Sequence, residues 1–223
     1  MQDLFKTFQN KNLLTTALTH RSALNEQSST SKESNERLEF LGDAVLELVA
    51  THYLYDLHPD DQEGMLTAYR SALVKTETLA EVAKQIGLGE ALYMSKGEEA
   101  TGGRQNVGIL ADSVEAFLGA MYLDQGLEAC ENFLRSYLFI KLPEIKAKKL
   151  YRDGKRLLQE VVQSRGLGAP NYEVLSEEGP DHDKMFRVAV FVDGTKVGEG
   201  SGRSKQTAQQ EAAREALEKY DGE

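Results

Sequence analysis

The sequence predicts an all-helical domain over residues 1–148, followed by a small α+β domain, ordered α-β-β-β-α, over residues 149–223. Three observations predict this. Apolar residues recur at helical spacing through the first part of the chain. After a basic stretch from Lys141 to Arg152, the spacing switches to the alternation of strands, with Asp193-Gly194 between two such runs as a hairpin signal. An Ala-rich helical pattern then closes the chain.

The elements follow in order. Leu4–Phe8 and Leu13–Leu18 read as two short helices, and the polar, Ser-rich run Asn25–Ser34 as a loop. A long helix begins at Asn35 and ends near Leu57, where His58-Pro59-Asp60-Asp61 stops it. Leu38, Leu41, Val45, Leu48 and Val49 form its expected core face. Gln62–Leu73 and Thr76–Ile86 are helical, with Leu66, Tyr69, Leu73, Leu79, Val82 and Ile86 at helical spacing, and Thr101-Gly102-Gly103-Arg104 is a loop. Ile109–Leu123 is apolar nearly all round and so predicts a buried helix. Leu127–Ile140 is a further helix, and the basic stretch after it marks the domain boundary. In the second domain, Gly154–Gln163 is a helix. Tyr172–Leu175, Met185–Phe191 and Thr195–Gly200 are strands, and Ser204–Tyr220 is a helix with Ser204 as N-cap.

Composition bounds the function. Of 223 residues, 40% are hydrophobic, enough for a core in each domain. No apolar run has the length of a membrane span, and Met1–Lys6 lacks the pattern of a signal peptide. The single cysteine, Cys130, excludes an internal disulfide and suits a reducing interior. These features predict a soluble cytoplasmic protein with no membrane partner. The net charge of −10 argues against nonspecific coating of nucleic acid. Residues 1–148 carry 14 Lys+Arg and 22 Asp+Glu, net −8, whereas residues 149–223 carry 12 and 14, net −2. The acid excess thus lies in the first domain.

Those acids are patterned. Glu36, Glu39, Asp43 and Glu47 line one side of the long helix, opposite its apolar side. Such a face is commonly just solvated. Here no Lys or Arg sits at i+3 or i+4 to pair with the acids, and like charges repel. Phe40 projects beside them, which suggests that this side is covered by a partner. Asp112 and Glu115 stand one turn apart on the apolar helix Ile109–Leu123, where a carboxylate is costly unless it is paired or bound to a cation. Gly119 continues their stripe and would let another helix approach closely. A structural salt bridge to a distant residue remains open for this pair. Carboxylates from two packed helices suit a hard divalent cation such as Mg²⁺, which binds through a few carboxylates, water and a substrate phosphate. Glu63 adds a possible further acid, or is an ordinary first-turn glutamate favoured by the helix dipole.

Other chemistries find no support. His20, His52, His58 and His182 lack zinc-ligand spacing, and there is no G-x-S-x-G elbow. Gly198–Lys205 does not fit the phosphate-loop pattern. It does set Arg203 and Lys205 at a helix N-terminus, where phosphate is favoured, or where two cations are simply exposed.

The stretch Asn35-Glu36-Arg37-Leu38-Glu39-Phe40-Leu41-Gly42-Asp43-Ala44-Val45-Leu46 closely resembles the signature of ribonuclease III, the double-stranded-RNA endonuclease. The likeness extends through Glu63-Gly64, Thr76–Ala80, Gly102-Gly103-Arg104 and Ile109–Ala116. Residues from Asp153 to Tyr220 are similar to a double-stranded-RNA-binding domain, through Asp153-Gly154-Lys155, Leu158-Gln159-Glu160 and Gly202-Arg203-Ser204-Lys205 with Ala208, Ala212 and Ala213. The resemblance implies an all-α endonuclease domain over 1–148 and a double-stranded-RNA-binding domain over 149–223. It further implies that Glu39, Asp43, Asp112 and Glu115 ligate Mg²⁺, with Mn²⁺ as a substitute and no organic cofactor. Asp43 and Glu115 would be the most critical, with Glu36 and Glu63 as supporting acids near the cleavage site. Phe40 would lie at a homodimer interface. Each strand would be cut in a dimer valley to 5′-phosphate and 3′-hydroxyl ends with short 3′ overhangs, in RNA processing. Gln159, Glu160 and His182 would meet RNA minor grooves, and Arg203 and Lys205 the phosphates, in a domain that reads A-form shape over ~16 base pairs.

Two departures stand out. Gln206 replaces a second lysine, which predicts weaker and less salt-sensitive binding. Gly108 stands where a serine is usual. Two other functions fit fewer features: a noncatalytic double-stranded-RNA-binding homodimer, and a helical metal phosphohydrolase acting on small nucleotides. The second domain argues against the latter.

Overall fold

A computed structural model describes residues 2–25, 32–147, 151, 154–179 and 184–221. The chain divides into two compact units, Met1–Tyr151 and Arg152–Glu223.

In the first unit the helices run α1 Gln2–Lys6, α2 Lys11–Ala17, α3 Glu36–Leu57, α4 Glu63–Leu73, α5 Thr76–Ile86, α6 Leu88–Ala91, α7 Lys96–Ala100, α8 Val107–Gln125, α9 Leu127–Tyr137 and α10 Leu142–Ala147. Short 3₁₀ turns cover Arg21–Asn25, Gly103–Gln105 and Phe139–Lys141. As its composition predicts, α8 is the central element, buried from Leu110 to Met121 except at Asp112 and Glu115. Asn106 caps it, its side chain accepting from the N–H groups of Gly108 and Ile109. Gly108 therefore sits in an intact capped first turn. Helices α2, α3, α5 and α9 pack around α8, and α3 makes the most extensive pairing. Cys130 is buried, with its Sγ 3.6 Å from the Leu118 carbonyl oxygen, and burial pushes its thiol up to about 11.

The first unit departs from expectation in two places. Leu48, expected in the core, is 57% exposed. The buried side of α3 is instead Leu38, Gly42, Val45, Leu46, Val49, Ala50 and Leu54, because the helix turns Gly42 rather than a large side chain toward α8. The basic stretch after Ile140 is also not simply a boundary. Its first half is α10, which buries Leu142 and Ile145 in the first unit's core. Tyr151 packs edge-on against Tyr69 at 4.7 Å. Leu142 and Ile145, at i and i+3, bury one side of this turn, while the flanking Lys141 and Lys146 made the stretch read as basic.

The second unit comprises α11 Gly154–Ser164, strands β1 Asn171–Glu178, β2 Met185–Val192 and β3 Thr195–Gly202, and α12 Lys205–Asp221. The strands form one antiparallel sheet in the order β1-β2-β3. Asp193 (φ 48°) and Gly194 (φ 77°) make the β2–β3 turn, the two positive φ values that a two-residue hairpin of matching twist needs. Leu158, Val162, Val190, Val192, Ala212, Ala213 and Ala216 form its core. The Ala-rich face of α12 lies so close to β3 that a Cβ at Gly200 would meet the Ala208 carbonyl oxygen at 2.5 Å. Small residues on both elements permit that approach. Ser204 caps α12, its Oγ accepting from the Thr207 N–H at 3.1 Å.

Candidate metal centre

Two helices bring the acids together. At the α3–α8 crossing, Gly42 lies against the backbone of Glu115, and Gly119 lies against the backbone of Leu38. The absence of side chains at both positions lets the helices touch backbone to backbone. The carboxylates beside the contact then converge: one oxygen from each of Glu39, Asp112 and Glu115 lies within 4.8 Å of the others. Glu39 and Glu115 are half-buried and Asp112 is exposed.

The electrostatics match the crowding. Glu115 is pushed up to about 7, first by burial and then by the charges of Asp43, Asp112, Glu39 and Glu47. Glu39 is also raised, by burial and then by Asp112, Glu36 and Asp43. Asp112 is raised by burial, while His20 and Arg21 pull it back. Three carboxyl groups raised by burial, with Glu39 and Glu115 raised further by neighbouring carboxylates, form a donor set that a hard divalent cation relieves. An all-oxygen set from Glu39, Asp112 and Glu115 fits Mg²⁺ and gives no ligand preferred by a soft metal.

The other expected residues fall as follows. Asp43, one turn beyond Glu39, is rotated about 40° around the helix. It is exposed and lies outside the three-oxygen group, yet its charge is the largest of those raising Glu115. Glu36 pairs with Arg21 at 3.7 Å and accepts from Ser34 Oγ at 2.8 Å. It shares a cleft of about 380 Å³ with His20, Arg21, Glu39, Glu98 and Asp112. Glu63, the first residue of α4, accepts from Thr67 Oγ1 at 3.2 Å and is not part of the carboxylate group. Glu47 is paired with Arg70 at 2.8 Å from another helix, a partner that helix-local spacing could not reveal. Phe40 is 82% exposed and shares its face of α3 with the exposed Leu48 and Tyr55.

In the second unit, Gln159 and Glu160 are exposed on α11, where Glu160 pairs with Arg156 at 3.1 Å. Arg203 is exposed at the β3–α12 turn. Lys205 opens α12, with its Nζ 2.8 Å from Glu177 and 5.5 Å from the centre of the Phe186 ring. His182 lies outside the described residues.

His20, Arg21 and Glu98 escaped the sequence reading. No periodicity marks them. They reach the cleft because the Leu18–His20 segment pairs with Tyr93, its backbone bonding at 2.8 and 2.9 Å. The Gly102-Gly103-Arg104 motif has a structural role. Arg104 donates to the carbonyl oxygens of Gly89, Glu90 and Leu92 at 2.9–3.2 Å and holds Glu99 at 2.8 Å. It thereby closes the end of α6.

Comparison with known proteins agrees with this architecture. Residues 10–142 match the family model described as ribonuclease-III-like, and residues 155–220 match the double-stranded RNA binding motif. The chain is 49% identical over 214 residues to a ribonuclease 3 of Pelotomaculum thermopropionicum, covering 96% of this chain and 89% of that protein. It is 49% identical over 212 residues to a ribonuclease 3 of Bacillus licheniformis, covering 95% and 85%. A solved nuclease domain of ribonuclease III from Campylobacter jejuni is similar at 41% identity and a TM-score of 0.57, covering 64% of this chain and 95% of that one. Its structure records flexibility in a region involved in dimer formation. With a helical nuclease domain, a following α-β-β-β-α domain and relatives aligned along nearly its whole length, the chain belongs to the ribonuclease III family of endoribonucleases.

Proposed function

We propose that this chain is a Mg²⁺-dependent, homodimeric endoribonuclease that cuts double-stranded RNA in the cytoplasm during RNA maturation. Each strand is cut to a 5′-phosphate and a 3′-hydroxyl, and the paired cuts leave short 3′ overhangs. The observation that carries the reading is the convergence of Glu39, Asp112 and Glu115 from two helices to within 4.8 Å.

Glu39, Asp112 and Glu115 would hold the cation, with the exposed Asp43, one turn beyond Glu39, as a further ligand. When bound, the metal polarises the phosphodiester and lowers the pKa of water. Glu115, half-buried and pushed up to about 7, would bind the cation in its ionised form. Glu36 and Glu63 support the site from its periphery. The exposed apolar stripe of Phe40, Leu48 and Tyr55 along α3 is the kind of surface that a second copy covers. Gln159, Glu160 and His182 meet minor-groove 2′-hydroxyls, and Arg203 and Lys205 meet phosphates. Mn²⁺, with the same oxygen preference, takes the place of Mg²⁺.

The test is a perfect RNA duplex incubated with the protein in Mg²⁺ or chelator, alongside Glu115→Ala. The expected result is metal-dependent cutting to short staggered products, with the variant binding duplex but not cutting it. Cleavage retained by Glu115→Ala would remove its assigned role. Binding without cutting by the wild type, in both Mg²⁺ and Mn²⁺, would favour the noncatalytic dimer.

A further inference from the structure

The cleft beside the carboxylates has an unbalanced lining. Glu36, Glu39, Glu98 and Asp112 face it, and among the described lining residues Arg21 is the one permanent cation. An RNA phosphate entering this cleft would meet acids on most sides. A cation alone cannot fix its orientation, whereas a guanidinium fork can.

Arg21 is built as a rigid base with a loose tip. Its backbone neighbours are pinned from several directions. The His20 N–H donates to the Tyr93 carbonyl at 2.9 Å, and the Ser95 N–H donates to Ser22 Oγ at 3.0 Å. The Ala23 N–H donates to the His20 carbonyl at 2.9 Å. The Arg21 side chain, by contrast, is 73% exposed, and its ion pair with Glu36 is long, at 3.7 Å. An exposed pair of that length contributes little to the fold. The chain therefore invests in placing the Arg21 backbone and leaves its guanidinium available. Glu36, itself held by Ser34, parks the fork at the edge of the carboxylate site.

We propose that Arg21 is a phosphate-binding residue of the cutting site, exchanging Glu36 for a phosphate of the strand being cut and orienting it toward Glu39 and Asp112. The inference rests on the nuclease reading of the carboxylate group. It adds a contact made by neither the carboxylates nor the second domain.

The experiment is steady-state cleavage of a duplex RNA by the full chain, comparing wild type with Arg21→Lys, Arg21→Ala, Glu36→Gln and the Arg21→Ala/Glu36→Gln double variant. The Mg²⁺ midpoint and thermal midpoint are measured for each. A lost charge-assisted bond corresponds to about a 10- to 100-fold fall in kcat/KM for Arg21→Ala. Arg21→Lys keeps the charge without the fork and recovers part of that loss. The Mg²⁺ midpoint does not rise, because removing a cation from an acidic site cannot weaken cation binding electrostatically, and the thermal midpoint stays within about 2 °C.

Three results would overturn the proposal. The first is Arg21→Ala retaining at least half the wild-type kcat/KM. The second is a loss accompanied by a lower thermal midpoint or a higher Mg²⁺ midpoint, which would make Arg21 part of the architecture. The third is a loss equal to that of Glu36→Gln with no further loss in the double variant, which would mean that Arg21 acts only by holding Glu36. Failure of the wild type itself to cut duplex RNA would instead refute the nuclease reading, and this inference with it.

Discussion

The α3–α8 crossing yields a prediction whose sign is set by geometry. Gly42 lies inside a helix, where alanine is favoured over glycine by about 1 kcal/mol. Local propensity alone therefore predicts that Gly42→Ala stabilises the protein. The tertiary contact predicts the reverse. A Cβ at Gly42 would sit 2.5 Å from the carbonyl carbon of Glu115 and 2.9 Å from the Gly119 nitrogen, both rigid backbone atoms. Ordinary carbon–carbon contact is about 3.5 Å or more, and the Glu115 carbonyl oxygen lies nearer still, so the helices must separate by more than about 1 Å. Overpacking of this kind costs about 1–3 kcal/mol or more, which outweighs the propensity gain. The separation also pulls Glu115 away from Glu39. Gly64→Ala is the control: it too is helical, and its added Cβ meets nothing within 4 Å. Urea unfolding in chelator is expected to show Gly42→Ala destabilised by about 1–3 kcal/mol and Gly64→Ala unchanged or slightly stabilised. The Mg²⁺ midpoint for cleavage should rise for Gly42→Ala. A Gly42→Ala protein as stable as wild type, with an unchanged Mg²⁺ midpoint, would refute the claim that the crossing positions the carboxylates.

Three further predictions follow from individual groups. Glu115 has a folded pKa of about 7 against an ordinary 4.5, so the folded metal-free protein binds the extra proton. Its contribution is fully present below 4.5 and is lost as pH rises through 7. Metal-free stability should thus fall between pH 5 and 8, and Glu115→Gln should recover about 1–2 kcal/mol at pH 8 after allowance for partial solvation, as read by urea midpoints at the two pH values. Arg104→Ala removes three bonds to main-chain carbonyls and is expected to cost about 2–3 kcal/mol by thermal unfolding; a loss below about 0.5 kcal/mol would contradict the clamp. Glu177 holds Lys205 at 2.8 Å and Lys184 at 3.8 Å, so Glu177→Gln is expected to tighten duplex binding about 2- to 5-fold at low salt and to steepen the salt dependence. An unchanged salt slope in a filter-binding titration would show that Lys205 does not reach phosphate.

The helices and strands of both units were readable because periodicity is local. The acid spacing on α3 and α8, the buried character of α8, the role of Gly119 and the Asp193-Gly194 turn all depend on residues a few positions apart. Shorter elements were not readable in this way. Helices α6 and α7 span one turn or little more, and such pieces take their form from neighbours. Arg104, for instance, closes α6 from outside it.

The sequence by itself determined where the longer helices and the strands lie, which acids share a side of a helix, and to which family the motifs are similar. The tertiary structure decided which of those acids meet. Glu39, Asp112 and Glu115 form one group while Asp43 and Glu63 stand apart from it, because the crossing point of α3 and α8 is set by backbone contact at Gly42 and Gly119. It also decided that Leu48 faces outward with Phe40 and that Arg21 faces the acids. Helical spacing gives the angle of a side chain about its own axis, but which neighbour lies at that angle depends on where distant segments pack.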